Sequence, residues 1–189
     1  MNEKGILVCN LPDIVTESTA EFAMGLMLAL MRRIPETDHK LRLIPDLMWG
    51  PIANLGHGLN GKKLGIVGMG RIGRAVARRA KPFLMDITYH NRHQLPPEVE
   101  AEYSATYVPT FEQILRESDI VMINMPLTPE TRHMFGLPQF EMMKRSAYLI
   151  NVGRGPIVNE PELIEALDKK LIAGAGLDVF EHEPNIPNQ

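Results

Sequence analysis

A chain of 189 residues, 44% hydrophobic and 23% charged, has room for one well-buried domain, or for one domain and a piece of another. Its formal net charge of −3 gives no electrostatic reason to bind nucleic acid or an acidic membrane. The single cysteine, Cys9, excludes an intramolecular disulfide and a cysteine-based zinc site, and it fits a reducing cytoplasm.

The opening MNEKGILVCN lacks the long apolar core of a signal peptide. Ser18 then stands three positions before Glu21 in STAE, the spacing of a capping box, and predicts a helix start. The apolar run Phe22 to Met31 ends in Arg32 and Arg33. It is too short for a bilayer, which needs about 20 apolar residues, so it predicts a buried helix in a soluble protein. Being apolar on nearly all sides, that helix is expected to be sandwiched, and Pro35 is expected to bend or end it. From Leu43 to Gly61 the chain is rich in Pro, Gly and Asn around Trp49, a long irregular connection of the functional or interfacial kind.

From Lys62 onward short apolar strands alternate with helical segments. KLGIVG, MDITYH, DIVMINMP, SAYLINV and IAGAGLDVF read as five strands, and RIGRAVARRAKPF, TFEQILRES and EPELIEALDKK as helices. Continuous apolar strands between helices predict a parallel sheet covered on both faces. With right-handed crossovers the fold class is α/β, a doubly wound Rossmann-type dinucleotide-binding domain.

GMGRIG places Gly68, Gly70 and Gly73 in a GxGxxG pattern between a strand and a helix, the context that gives this short pattern meaning. Gly68 serves the tight turn, Gly70 lets a pyrophosphate approach the backbone, and Gly73 lets the helix pack on the sheet. The helix N-terminus adds free N–H groups and a partial positive charge. The second strand runs into YHNRH, with Asn91, Arg92 and His93 where an acid would hold the ribose 2′-hydroxyl of NAD. Arg92 suits a 2′-phosphate through forked, charge-assisted hydrogen bonds. The expected cofactor is therefore NADP, with NAD possible.

GKKLGIVGMGRIG, INMPLTPETR, LINVGRGPIVNEPELIEAL and AGAGLDVFEHEP together resemble the D-isomer-specific 2-hydroxyacid dehydrogenases. Within them, YHNRH resembles the glyoxylate and hydroxypyruvate reductases that use NADPH. The resemblance extends over nearly the whole chain, including LPDIVTESTAEFAMGLMLALMRR. It implies hydride transfer between nicotinamide C4 and C2 of a small 2-oxo acid. Arg154 matches the arginine that binds the acid and polarises its carbonyl. Glu183 matches the carboxylate that orients a catalytic histidine, and Asp178 matches the contact to the nicotinamide carboxamide. Arg71 and Ile72 fall in the phosphate turn, Pro126 and Thr131 beside the adenosine pocket, and Val152 and Gly153 beside the nicotinamide.

The same resemblance implies that residues 1–17 are a remnant of a substrate-binding domain. Residues 18–189 are then a dinucleotide-binding domain with a linking helix and a dimerisation arm, incomplete at its C-terminus. The family's catalytic histidine lies beyond EPNIPNQ. None of the six histidines, His39, His57, His90, His93, His133 and His182, matches its place. The helix from Thr19 to Met31 and the Trp49 arm resemble segments through which family members dimerise. The expected partners are a small 2-oxo acid and a second copy of the chain. A catalytically silent nucleotide-binding module and a formate or phosphite dehydrogenase relative are the alternatives.

Overall fold

The computed structural model describes residues 13–44 and 52–185, together with Gly5, Cys9, Asp46, Met48 and Gly50. Trp49, assigned above to a dimerisation arm, lies outside the described residues, as does most of the segment 1–12.

Six strands form one sheet: β1 (Lys63–Val67), β2 (Asp86–His90), β3 (Ala105–Tyr107), β4 (Ile120–Ile123), β5 (Tyr148–Asn151) and β6 (Gly174–Leu177). Their order is β3-β2-β1-β4-β5-β6, and every pairing is parallel. The expected doubly wound parallel sheet is thus the fold. The order reverses between β1 and β4, so a crevice opens outside the carboxyl ends of those strands, where such sheets hold ligands.

Strand periodicity explains the two cores. On β4, Ile120 and Met122 join one buried cluster while Val121 and Ile123 join the other. On β5, Tyr148 and Ile150 part from Leu149 in the same way. Successive side chains point to opposite faces, so β4 is apolar throughout, and β5 up to Asn151, because both faces are covered. One cluster lies under α1 (Thr16–Met31) and α3 (Arg71–Ala80). The other lies under α5 (Phe111–Glu117), α6 (Leu137–Met142) and α7 (Glu160–Asp168).

The structure corrects four local expectations. There are six strands rather than five, because β3 has only three residues, one of them buried. It follows α4 (Pro97–Tyr103), which Ser104 ends in the left-handed region at φ 51°. Helix α1 begins at Thr16 after Val15, with no side-chain cap. Ser18 is already helical, its hydroxyl donating to Val15 O at 3.3 Å, so the STAE capping box does not form. Arg79 instead binds Glu21 at 3.2 Å and Glu17 at 2.6 Å. Helix α1 also covers the sheet with one face only: Ala20, Ala23, Met24, Met27 and Met31 are buried, while Phe22 stays 49% exposed. Lastly, RIGRAVARRAKPF is helical only to Ala80 and closes in a 3-10 turn over Lys81–Phe83. Pro35 ends the first helix, as expected, and starts α2 (Ile34–Leu43) in its first turn. No helix among the described residues is long and apolar enough to cross a membrane.

Candidate dinucleotide site

The turn from β1 to α3 is built by its glycines. Gly68 has φ +100°, and a Cβ there would lie 2.8 Å from Met125 N and 2.9 Å from Asn124 C. A Cβ on Gly73 would sit 2.5 Å from Gly68 O. Gly70 differs from both: a Cβ there meets no heavy atom within 4 Å. The first two glycines are demanded by the protein's own packing, and the third leaves open space at the helix N-cap. That is the shape a phosphate group requires at a helix start. Arg71 and Ile72 open α3 behind it; the Arg71 guanidinium pairs with Asp13 at 2.8 Å and is largely exposed.

In front of this turn lies a cavity of about 530 Å³, lined by Gly68, Gly70, Asn91, Arg92, Pro126 and Thr131, and also by Asn124 and Glu130. Its size is in the range of small-molecule sites, roughly 300–1,000 Å³. Two braced loops wall it. Asn91 Oδ1 accepts from Met69 N at 2.8 Å, and Asn91 O accepts from the Tyr107 hydroxyl at 3.2 Å. Leu95 N donates to the Tyr89 hydroxyl at 2.8 Å, and that hydroxyl donates to Glu100 at 2.7 Å. Burial, followed by the Glu100 hydrogen bond, pushes the Tyr89 phenol up to about 12, so it remains a donor. Opposite, the Thr131 hydroxyl donates to Pro126 O at 2.8 Å and accepts from Thr128 N at 2.7 Å. Asn91 and Thr131 therefore shape the walls, and Arg92 lines the cavity between the pinned Asn91 and Leu95.

The remaining predicted residues form a second group at the ends of β5 and β6, outside the cavity lining. Val152 is buried and donates its N–H to Ile123 O at 3.2 Å. A Cβ on Gly153 would meet Met125 O at 2.9 Å. Arg154 is exposed and donates to Gly153 O at 2.7 Å, while Asn151 holds its carbonyl at 3.1 Å. Asp178 N donates to Asn151 O at 3.0 Å. Glu183 accepts from Phe180 N at 2.7 Å. Burial first, and then the Glu183 charge, raises the Asp178 carboxyl above its ordinary range, so the two acids share one neighbourhood.

Three functional candidates escaped the sequence reading. Asn124 ends the apolar strand β4, and both its amide atoms are buried without a hydrogen-bond partner. An unpartnered buried amide costs about 1–3 kcal/mol, so a polar ligand in the cavity would satisfy it. A lone Asn closing the apolar run of DIVMIN is the signal that was available. Glu130 lines the same cavity. The Glu181 carboxylate accepts from His133 Nε2 at 2.5 Å, and the Glu181 N–H donates to Glu160 at 2.5 Å. This pair ties the cavity-side loop to the loop that carries Asp178 and Glu183. Among the described residues no group of three or more His, Cys, Asp and Glu side chains is placed to hold a metal.

The Glu181 carboxyl has a pH consequence. Burial acts to raise it, but the His133 hydrogen bond and charge outweigh burial and hold it below the ordinary carboxylate value. A lowered folded pKa contributes stability that is present above the unfolded value, near about 4.3, and is lost as pH falls through the folded value. Glu181→Gln is expected to cost about 1 kcal/mol at neutral pH, since His133 is partly solvated. Urea unfolding should show that difference shrinking below about pH 4; a difference independent of pH would remove the carboxylate's role.

The comparisons with known proteins agree with this geometry. The sequence pattern described as D-isomer specific 2-hydroxyacid dehydrogenase, NAD binding domain, matches residues 24–189. The glyoxylate reductase of Thermococcus litoralis is 49% identical over 186 residues, covering 96% of this chain and 56% of that protein. The crystal structure of a glyoxylate reductase from Paecilomyes thermophila superposes with a TM-score of 0.86 at 40% identity, over 98% of this chain and 55% of that one. A Granulicella formate dehydrogenase superposes with a TM-score of 0.90 at 31% identity, over 98% of this chain and 49% of that one. The chain spans about half the length of these relatives. By its matched sequence pattern, which runs through the glycine turn and both site loops, the chain belongs to the D-isomer specific 2-hydroxyacid dehydrogenases as their NAD-binding domain.

Proposed function

We propose that this chain is the cofactor-binding core of an NADPH-dependent reductase that converts a small 2-oxo acid of the glyoxylate or hydroxypyruvate class to the D-2-hydroxy acid. The observation that carries the reading is the open space at Gly70, facing a cavity whose β2 side presents Arg92 and no acid. Gly68, Gly70, Arg71, Ile72 and Gly73 hold the pyrophosphate at the α3 N-terminus. Asn91 fixes the loop, and Arg92 receives the 2′-phosphate. Pro126 and Thr131 wall the adenosine. Val152 and Gly153 would back the nicotinamide, and Asp178 would accept from its carboxamide. NAD occupies the same site more weakly.

A reduced nicotinamide held in this site would supply a hydride to the substrate carbon. The chain's own part is electrostatic: Arg154 holds the substrate carboxylate and polarises the carbonyl oxygen, where negative charge develops. Glu183 orients the histidine that protonates that oxygen, and none of this chain's six histidines takes that role. The exposed apolar residues Ile34, Leu41, Leu43, Ile52 and Leu55 support pairing with a second copy, since a monomer would leave them in water.

Oxamate tests the Arg154 assignment without needing turnover, because it mimics a 2-oxo acid and does not accept hydride. Titrated into the NADPH-saturated chain, it should bind and quench nicotinamide fluorescence. Arg154→Gln should weaken it about 30-fold, the loss of a charged hydrogen-bond pair worth roughly 2 kcal/mol, while NADPH affinity stays unchanged. Equal oxamate binding by both proteins would contradict the assignment. No oxamate binding to either would favour a nucleotide-binding module without a substrate site.

A further inference from the structure

The acid missing from the end of β2 has a counterpart on the opposite wall. Glu130, in the loop after β4, lines the same cavity as Arg92. Each sits in a braced loop: Arg92 between the Asn91 and Leu95 anchors, and Glu130 between the Thr128 and Thr131 turn contacts. The two residues thus line one space from loops braced on either side of them. Hydrogen bonding with Thr128 first, and then with its own N–H, holds the Glu130 carboxyl below its ordinary range, and the Arg92 charge adds to this. At neutral pH the cavity therefore carries a carboxylate within the field of its only arginine among the lining residues.

We propose that Glu130 is a specificity-determining residue: its carboxylate competes with a 2′-phosphate for the Arg92 guanidinium and so limits the preference for a 2′-phosphorylated dinucleotide. The inference rests on the reading of Arg92 as the 2′-phosphate ligand. A dinucleotide with a 2′-hydroxyl leaves the attraction between Arg92 and Glu130 undisturbed. A 2′-phosphate brings roughly two negative charges beside Glu130 and must displace it from the arginine's field. The site's selectivity is then the difference between one favourable and one unfavourable pairing. Placing the acid on a different loop from the arginine gives a pocket that prefers NADPH and still accepts NADH.

The test is fluorescence titration of the 189-residue chain with NADPH and with NADH, for the unaltered protein, Glu130→Gln, Arg92→Gln and the double variant. Glu130→Gln should tighten NADPH about two- to five-fold, the range of solvent-exposed charge pairs, and change NADH by less than about two-fold. The gain should shrink in about 0.5 M salt, and it should be smaller in the Arg92→Gln background, as coupled residues require. Equal shifts for both cofactors, or no shift in Glu130→Gln while Arg92→Gln weakens NADPH, would overturn the role of Glu130 and leave that of Arg92 standing. If Arg92→Gln leaves NADPH binding unchanged, the 2′-phosphate reading falls, and this inference falls with it.

Discussion

Gly70→Ala is expected to remain folded and to lose at least about ten-fold in affinity for NADPH and NADH alike, whereas Gly68→Ala is expected to lose about 3–5 kcal/mol of stability. At Gly70 φ is −81°, which alanine adopts without strain, and its Cβ touches no protein atom within 4 Å. Replacing glycine there should therefore leave stability unchanged or raise it by about 0.4–1 kcal/mol through the unfolded chain. The same methyl group would stand where the proposed site brings a pyrophosphate to the backbone, and this sets the expected binding loss. At Gly68 the positive φ alone costs about 1–3 kcal/mol. The Cβ then adds a collision with the backbone at Met125 and Asn124, which cannot swing aside as a side chain tip would. A total of about 3–5 kcal/mol is a large part of the roughly 5–15 kcal/mol that holds a typical domain together. Urea unfolding read beside cofactor titration separates the two effects. Normal binding by a folded Gly70→Ala protein would show that the dinucleotide lies elsewhere.

Arg92→Asp is expected to reverse the cofactor preference. The substitution removes the guanidinium proposed to pair with a 2′-phosphate and installs a carboxylate at the strand end where NAD sites hold the ribose 2′-hydroxyl. Charged hydrogen bonds are worth about 1.5–3 kcal/mol, so NADPH should weaken by about 10- to 100-fold, and repulsion from the new carboxylate adds to the loss. NADH should bind as well as before or slightly better. Arg92 is exposed and forms no part of either core, so the thermal midpoint should move little. A variant that loses both cofactors equally would mean that Arg92 shapes the loop rather than reading the phosphate.

The sheet was legible because its strands are buried on both faces. IVMI is apolar in every residue, and KLGIV and YLIN are apolar but for Lys63 and Asn151 at their ends; the glycine turn lies between a strand and a helix in the sequence itself. β3 was not legible: its ATY has one buried residue, and its place is fixed by pairing with β2, a contact made across the chain. The start of α1 was misplaced because STAE satisfies a local capping rule, while tertiary ion pairs from Glu17 and Glu21 to Arg78 and Arg79 draw the acids away. In the site, Arg92 could be found by its position after β2. Glu130 could not, since only folding brings its loop opposite Arg92. Glu181 was overlooked beside Glu183, two acids in one short motif with different partners, His133 and the Phe180 N–H.

The most direct test of the central claim is the dissociation constant of the unaltered 189-residue chain for NADPH and for NADH, measured in one buffer at low salt. The account predicts saturable binding of both, with NADPH tighter by about ten-fold, the lower end of what a charged hydrogen bond supplies. Equal affinity for the two cofactors, or tighter binding of NADH, would contradict it.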